Sequence, residues 1–308
     1  MKITLEKNIM IEWEKTDKIN FQQLKEKMAK LCRFKNEVTY EEFLMLKIDE
    51  KNKRMLIPPG RADIVERLKT FSPEIIDKRI EIKKEHKFKH AWGFRDELQK
   101  AFVMDFINSK TKNHYGVMSC GGGKTFSALK IAEELEVTTM IVVDEVSLLE
   151  QWKEDILDLC GYPEEHLGVI YGTKKIYKDK SIVLATKQTL ANNPEIQEYL
   201  AERISYLVVD ECHTAPTDVY TKAIEPLKPK YRLGLTATPK RQDGNQYLLE
   251  NMLGTKHIEI TQEQMFEQGS TLKPEVICYA ILTGNKPLNS DNWVKKLNGN
   301  RKPTFWQG

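Results

Sequence analysis

The sequence predicts an α/β protein, a doubly wound parallel sheet preceded by a smaller α/β domain. Three observations predict it. Short continuous apolar runs, such as those at 139–143 and 206–209, alternate with helical segments, as in strands buried on both faces of a parallel sheet. A glycine-rich turn, Cys120-Gly121-Gly122-Gly123-Lys124-Thr125, joins one such run to a helix. Before residue 94 the pattern changes to hairpin-like strands, polar turns and a surplus of lysine.

Residues 1–85 read as strand, helix, strand, strand, helix, strand. The first strand lies within 3–13, with a break at Asn8. Phe21, Leu24, Met28, Leu31 and Cys32 recur at helical spacing. Segments 43–48 and 54–57 flank the polar turn Asp49-Glu50-Lys51-Asn52-Lys53 and predict a hairpin, ended by Pro58-Pro59-Gly60. Ile64, Val65, Leu68 and Phe71 mark a second helical face, and 79–84 alternates as an edge strand. This order matches a split βαβ arrangement. Residues 86–93 read as a linker. In the domain 94–284, strands are expected at 115–118, 139–143, 168–171, 182–185, 206–209 and 231–235, and helices at 95–108, 124–135, 146–159 and 194–203. The polar residues 285–308 read as an interdomain connection or tail.

Composition narrows the class. The 308 residues are 40% hydrophobic and 30% charged, ordinary for a soluble globular chain. No apolar run approaches the ~20 residues that span a bilayer, so no membrane partner is expected. The charged N-terminus lacks the apolar core of a signal peptide. Five scattered cysteines without Cys-x-x-Cys spacing argue against a disulfide framework or a zinc site, and for a reducing, cytoplasmic setting. Residues 1–90 hold 22 Lys and Arg against 16 Asp and Glu, with the excess concentrated in 51–90. Lys83, Lys84 and Lys87 of that stretch are candidate contacts to a polyanion, the alternative being a solvated surface.

Chemistry enters at the glycine-rich turn. Phosphate oxygens bind where backbone N–H groups converge at a helix N-terminus, and side chains obstruct that approach. Gly121, Gly122 and Gly123 suit it, with Lys124 as a point charge for the β- and γ-phosphates and Thr125 as a hydroxyl for Mg2+. ATP and Mg2+ are the expected ligands. The general pattern places glycine at position 118, where this chain has Met118.

Two apolar strands end in Asp-Glu, at Asp144-Glu145 and at Asp210-Glu211. The second is followed by Cys212-His213 and, 26 residues after Asp210, by Thr236-Ala237-Thr238. Asp210 is therefore the expected metal ligand, Glu211 the group that accepts a proton from, or orients, the attacking water, and His213 a link to neighbouring elements. Asp144 and Glu145 read as a strand end that opens a helix, where acidic residues are favourable.

Taken in order, these motifs resemble those of superfamily 2 helicases, over about residues 94–284. The segment from Ser119 to Thr125 resembles motif I, and Leu148-Leu149-Glu150-Gln151-Trp152 the end of motif Ia, with Asp144-Glu145 where Pro-Thr is usual. Thr186-Lys187-Gln188-Thr189-Leu190 resembles motif Ib, which implies that Thr186 and Gln188 help to hold one nucleic-acid strand. Asp210-Glu211-Cys212-His213 is similar to a DEAH-type motif II, and Thr236 to Thr238 to motif III, which couples the sites. Gln99, with Arg95 nearby, resembles the adenine-reading segment, one residue longer than usual. Pro239-Lys240-Arg241-Gln242-Asp243-Gly244 and the small leading domain resemble the XPB-like and phage UvsW-type branches.

The resemblance implies a RecA-like fold, ATP hydrolysis, and a DNA helicase or translocase acting on branched or duplex DNA, RNA not being excluded. It also implies a second RecA-like domain, which nothing after residue 285 encodes, so weak turnover is expected of this chain alone. A phage protein working in a bacterial host fits the same branch. Two alternatives stay open. One is the motor subunit of a nuclease or restriction system, with Glu74, Glu81 and Lys83 as a nuclease template. The other is a nucleotide-binding module without motor activity.

Overall fold

Alternating apolar residues start the chain as a hairpin, β1 (Lys2–Leu5) paired antiparallel with β2 (Ile9–Glu12). The structure, a computed structural model, describes residues 1–15, 17–89, 93–214, 218–238, 244 and 247–269. Helix α1 (Phe21–Leu31) begins at Asn20, whose side chain accepts the Gln23 N–H, and buries Phe21, Leu24 and Met28 as their spacing predicts. A separate ribbon follows, β3 (Arg33–Lys35) with β4 (Glu42–Leu44), then the hairpin β5 (Lys47–Asp49) and β6 (Arg54–Ile57). The single strand expected over 43–48 is thus two, each with its own partner. Helix α2 (Ala62–Leu68) and strand β7 (Glu74–Asp77) complete a sheet of order β5-β6-β2-β1-β7, with β7 parallel to β1.

The larger sheet follows. Its elements are α3 (Glu97–Asn108), β8 (Asn113–Met118), α4 (Lys124–Leu135), β9 (Thr139–Val143) and α5 (Val146–Glu154), which continues as a π-helical turn at Asp155–Leu159. Next come β10 (Leu167–Tyr171), β11 (Lys174–Ile176), β12 (Ile182–Thr186), α6 (Lys187–Ala191), α7 (Pro194–Ala201) and β13 (Tyr206–Val209). Helix α8 (Asp218–Ile224), β14 (Tyr231–Thr236), α9 (Tyr247–Met252), β15 (Thr255–Ile260) and α10 (Gln262–Glu267) end the described chain. The strand order is β11-β10-β12-β9-β13-β14-β8-β15, parallel except where β11 meets β10. Strands β8, β9, β12 and β13 are buried along their whole length, which explains the apolar runs of β9, β12 and β13. The α/β class expected from the sequence is the one observed. Edge strands β11 and β15 were not expected: the first is three residues long, and the second shifts register between Lys256 and Glu259.

The expected edge strand at 79–84 is not part of the small sheet. Asp77 accepts from Arg79 Nε (2.9 Å) and Nη2 (2.7 Å), a turn that ends β7 and redirects the chain. Residues 79–89 then lie along the larger sheet. Ile80 and Lys83 make single bridges to Pro229 and Val137, and the Ile82 N–H donates to Ser205 Oγ at 2.7 Å. Phe88 is buried in the core under that sheet. The described residues accordingly group as one compact unit, and 78–89 run between the two sheets as packed structure.

This path gives three cations of the basic stretch partners at the end of α4. Helix α4 has no basic residue in its last turn. Lys83 Nζ donates to the Leu135 carbonyl at 2.9 Å and Lys84 Nζ to that of Ala132 at 3.1 Å, while Lys87 pairs with Glu136. Cations at a helix C-terminus are favourable there. Lys84 is only 8% exposed, and its ammonium lies 3.9 Å from the Phe88 ring centre.

Burial pulls the Lys84 ammonium down to about 8 from its ordinary value. Between that value and the ordinary one, the folded chain has lost a proton that the unfolded chain keeps, so stability rises with pH. Relative to Lys84→Met, the wild type should gain about 2 kcal/mol between about pH 7.5 and 9.5. Urea unfolding at the two pH values checks this.

Candidate functional site

Parallel strands release their loops along one rim of the sheet, and ligands bind there. Register places four strand ends together: Val209 lies opposite Val142 and Gly234, and Thr236 opposite Val117. After β8 the chain enters the glycine-rich turn. Gly121 and Gly123 have φ of +77° and +84°, backbone that other residues rarely adopt. A Cβ on Gly123 would lie 2.4 Å from Gln99 Nε2. The Gly122 N–H closes the turn on the Ser119 carbonyl at 2.9 Å, and the Ser119 N–H donates to the Ile260 carbonyl of β15 at 3.1 Å.

Helix α4 starts directly from this turn. It has no side-chain N-cap and no acidic residue in its first turn, so no side chain of its own satisfies the positive end of its dipole. Lys124 and Thr125 open it, both half-buried. Across the rim, Lys124 Nζ donates to Glu211 Oε1 at 2.8 Å. From the other side Arg95 donates to the carbonyls of Gly121 (2.7 Å) and Gly122 (3.4 Å), and its N–H to Gln99 Oε1 at 2.9 Å. Both residues of the expected adenine-reading segment therefore sit against the glycine turn, with Gln99 buried.

Asp210 lies at the end of β13 and is 7% exposed. Its Oδ2 accepts the Trp152 indole N–H at 2.8 Å and its Oδ1 the Glu211 N–H at 2.9 Å. Burial pushes the Asp210 carboxyl above the usual carboxylate range, and the indole and amide donors pull it partly back. A carboxylate kept dry with so few donors suits a cation. Glu211 is held at φ +44°, a left-handed backbone that only a minority of non-glycine residues adopt. Its other oxygen lies 3.3 Å from His213 Nδ1, which is 2.9 Å from Thr236 Oγ1. Thr236 Oγ1 in turn accepts the Thr238 N–H at 3.1 Å. Lys124, Glu211, His213, Thr236 and Thr238 thus form one connected chain of contacts.

Asp144 is engaged elsewhere. It pairs with Lys187, at the start of α6, and accepts from Thr214 Oγ1 at 3.2 Å. The acidic residue in place of Pro-Thr therefore ties the end of β9 to the segment that resembles motif Ib. Within that segment Thr186 is buried and donates to Thr189 Oγ1 at 3.0 Å, whereas Gln188 is exposed. The run 239–243 and Trp92 lie outside the described residues. Glu81, one carboxylate of the nuclease template, is held by Lys230 and by the Tyr231 hydroxyl. Sequence reasoning did not assign Trp152, Lys187 or Tyr220 to the site; the Tyr220 hydroxyl donates to the Asp210 carbonyl at 3.3 Å. The signal for Trp152 was present, an indole on a helix packed behind an acidic strand end.

The family described as the Type III restriction enzyme res subunit matches residues 75–241, a span that holds the glycine turn and both acidic strand ends. The chain belongs to this family of superfamily 2 helicases. Among its relatives, the DNA 3'-5' translocase XPB2 of Sulfurisphaera tokodaii is 34% identical over 188 residues, which cover 61% of this chain and 41% of that protein. The DNA 3'-5' helicase XPB of Mycobacterium tuberculosis is 26% identical over 156 residues, 50% of this chain and 28% of that protein. The chain spans less than half the length of these relatives. The crystal structure of the UvsW helicase from bacteriophage T4 superposes with a TM-score of 0.55 at 16% identity, covering 83% of this chain and 99% of that one. A second structure, of T4 UvsW, gives 0.56 at 18% identity, covering 83% and 57%. These two show a shared fold, which includes the RecA-like sheet. Among the described residues, no helix is long and apolar enough to cross a membrane.

Trp152→Phe keeps the ring in the core and removes one donor from a buried carboxylate. The expected cost is about 1.5–3 kcal/mol at neutral pH, shrinking as Asp210 is protonated in acid. Denaturant unfolding across pH measures it.

Proposed function

We propose that this chain carries the ATP-binding half of a DNA helicase or translocase that uses ATP with Mg2+. The 2.8 Å contact between Lys124 and Glu211 carries the reading, because it brings the phosphate turn and the acidic strand end to one point. The donor set fits the ligands: an uncapped helix N-terminus for phosphate, an ammonium beside it, a hydroxyl at Thr125 and a buried carboxylate at Asp210. Thr125 and Asp210 would hold Mg2+, which when bound neutralises charge on the phosphates.

Lys124 then has two possible partners, Glu211 and the phosphates. Exchange toward phosphate frees the Glu211 carboxylate to accept a proton from water. His213 and Thr236 touch that carboxylate directly or through one another, so its state reaches the β14 end. DNA contact is placed at the rim near Gln188, since of the basic candidates Lys84 is buried against α4, while Lys83 and Lys87 stay exposed beside the end of that helix as further contacts. The names of the relatives support DNA as the partner. Branched DNA as the preferred substrate rests on the resemblance alone. A second RecA-like domain, whose arginines would complete the site, is part of the proposal. Such arginines are worth ~10³–10⁵ in rate, so the chain alone should bind nucleotide and turn over little.

Binding of a fluorescent ATP analogue tests this. Lys124→Ala should weaken it about 10-fold or more. Asp210→Ala should remove its dependence on Mg2+, and Asp144→Ala should leave it intact. The opposite result for the two aspartates would sink the assignment.

A further inference from the structure

A cavity of about 480 Å³ lies away from the glycine turn, between the small sheet and helices α8 and α9. That size suits a small organic molecule. Its walls are mainly apolar: Leu46, Leu56 and Ile57 on one side, Ile224, Leu248 and Met252 on the other. Two buried polar side chains interrupt them. Arg232, on β14, is 3% exposed. Its guanidinium makes a single long contact, Nη2 to the Leu227 carbonyl at 3.5 Å, and no carboxylate pairs with it among the described residues. Burial, reinforced by the like charge of Arg79, pulls it down to about 9. Asn251, also 3% exposed, donates from Nδ2 to the Tyr247 carbonyl at 2.7 Å, while its Oδ1 has no partner among the described residues. Lys7 and Lys47 add positive charge to the lining, against Glu225.

Buried charges in proteins are ordinarily paired. An arginine fork matches a carboxylate or phosphate through two parallel hydrogen bonds. We propose that this cavity binds a small organic anion, its carboxylate or phosphate monoester head on Arg232 and its apolar body against the leucine, isoleucine and methionine walls. Asn251 supplies an acceptor for a hydroxyl or amide on the same molecule. Such an occupant touches the small sheet, α8 and α9 together. It therefore bridges the leading domain to the helices that follow the acidic strand β13 and the threonine-ended strand β14. The site is independent of the nucleotide reading, and its test uses no nucleotide.

The test is calorimetric titration of the 308-residue chain. Its probes share one ring system: 1-naphthoate, 1-naphthyl phosphate and the neutral 1-naphthol. At least one anion should bind with Kd of about 100 µM or tighter, and 1-naphthol about 10-fold weaker or worse. Whichever anion binds more tightly identifies the head group. Arg232→Met should weaken that anion about 10-fold or more without lowering the melting temperature, since no carboxylate loses its partner. Leu248→Trp, which fills the cavity from α9, should abolish binding even if the arginine variant fails to fold. No heat from either anion up to about 1 mM, equal binding of 1-naphthol, or undiminished binding by either variant would overturn the proposal.

Discussion

Strands that are buried on both faces leave one place for chemistry, the rim where their carboxyl ends meet the loops. Every backbone group within such a strand is committed to the ladder, so the relative heights of the strand ends cannot drift. In this chain the ladder β9-β13-β14-β8 sets three of them: the glycine turn after β8, the acidic pair after β13 and the threonine pair at β14. The Lys124–Glu211 contact, the His213–Thr236 contact and the path of α4 all follow from that alignment.

Energetically the rim is held at some cost. Asp210 is an acid kept from water, relieved chiefly by one indole and one amide. Glu211 keeps a left-handed backbone. Native chains carry such features where a ligand resolves them, and stability is drawn from elsewhere. The elsewhere is plain: uninterrupted apolar strands on one hand, and on the other the fully buried Ile3 and Ile11 of the small sheet with Leu24 and Met28 of α1 packed on it.

Much of the larger sheet was legible because its signals are local. An apolar run followed by Gly-Gly-Lys-Thr, or by Asp-Glu, carries its own context within ten residues or so. The strand ends fell where expected, and Gln99 and Arg95 came to the glycine turn despite the extra residue between them. What the sequence hid was non-local. That Lys84 is buried and that Lys83 and Lys84 reach the carbonyls of Leu135 and Ala132 could not be read locally, because those partners lie some fifty positions on. Residues 79–84 alternate like an edge strand, yet Asp77 turns the chain at Arg79 and hands them to the other sheet. Asp144 offers the same acidic strand end as Asp210, and its Lys187 and Thr214 partners, distant in sequence, became visible only in the structure.

The donation from Lys83 and Lys84 to the last turn of α4 has a consequence for dissecting the protein. The leading part cannot be cut cleanly from the sheet part near residue 94. A version that began near residue 94 would uncap the helix whose other end carries Lys124, and would take Phe88 out of the core beneath it. Loss of activity in such a truncation would then report a loosened helix, not a missing accessory function. The informative cut lies upstream, at the Asp77–Arg79 turn, where the small sheet ends and the tether begins.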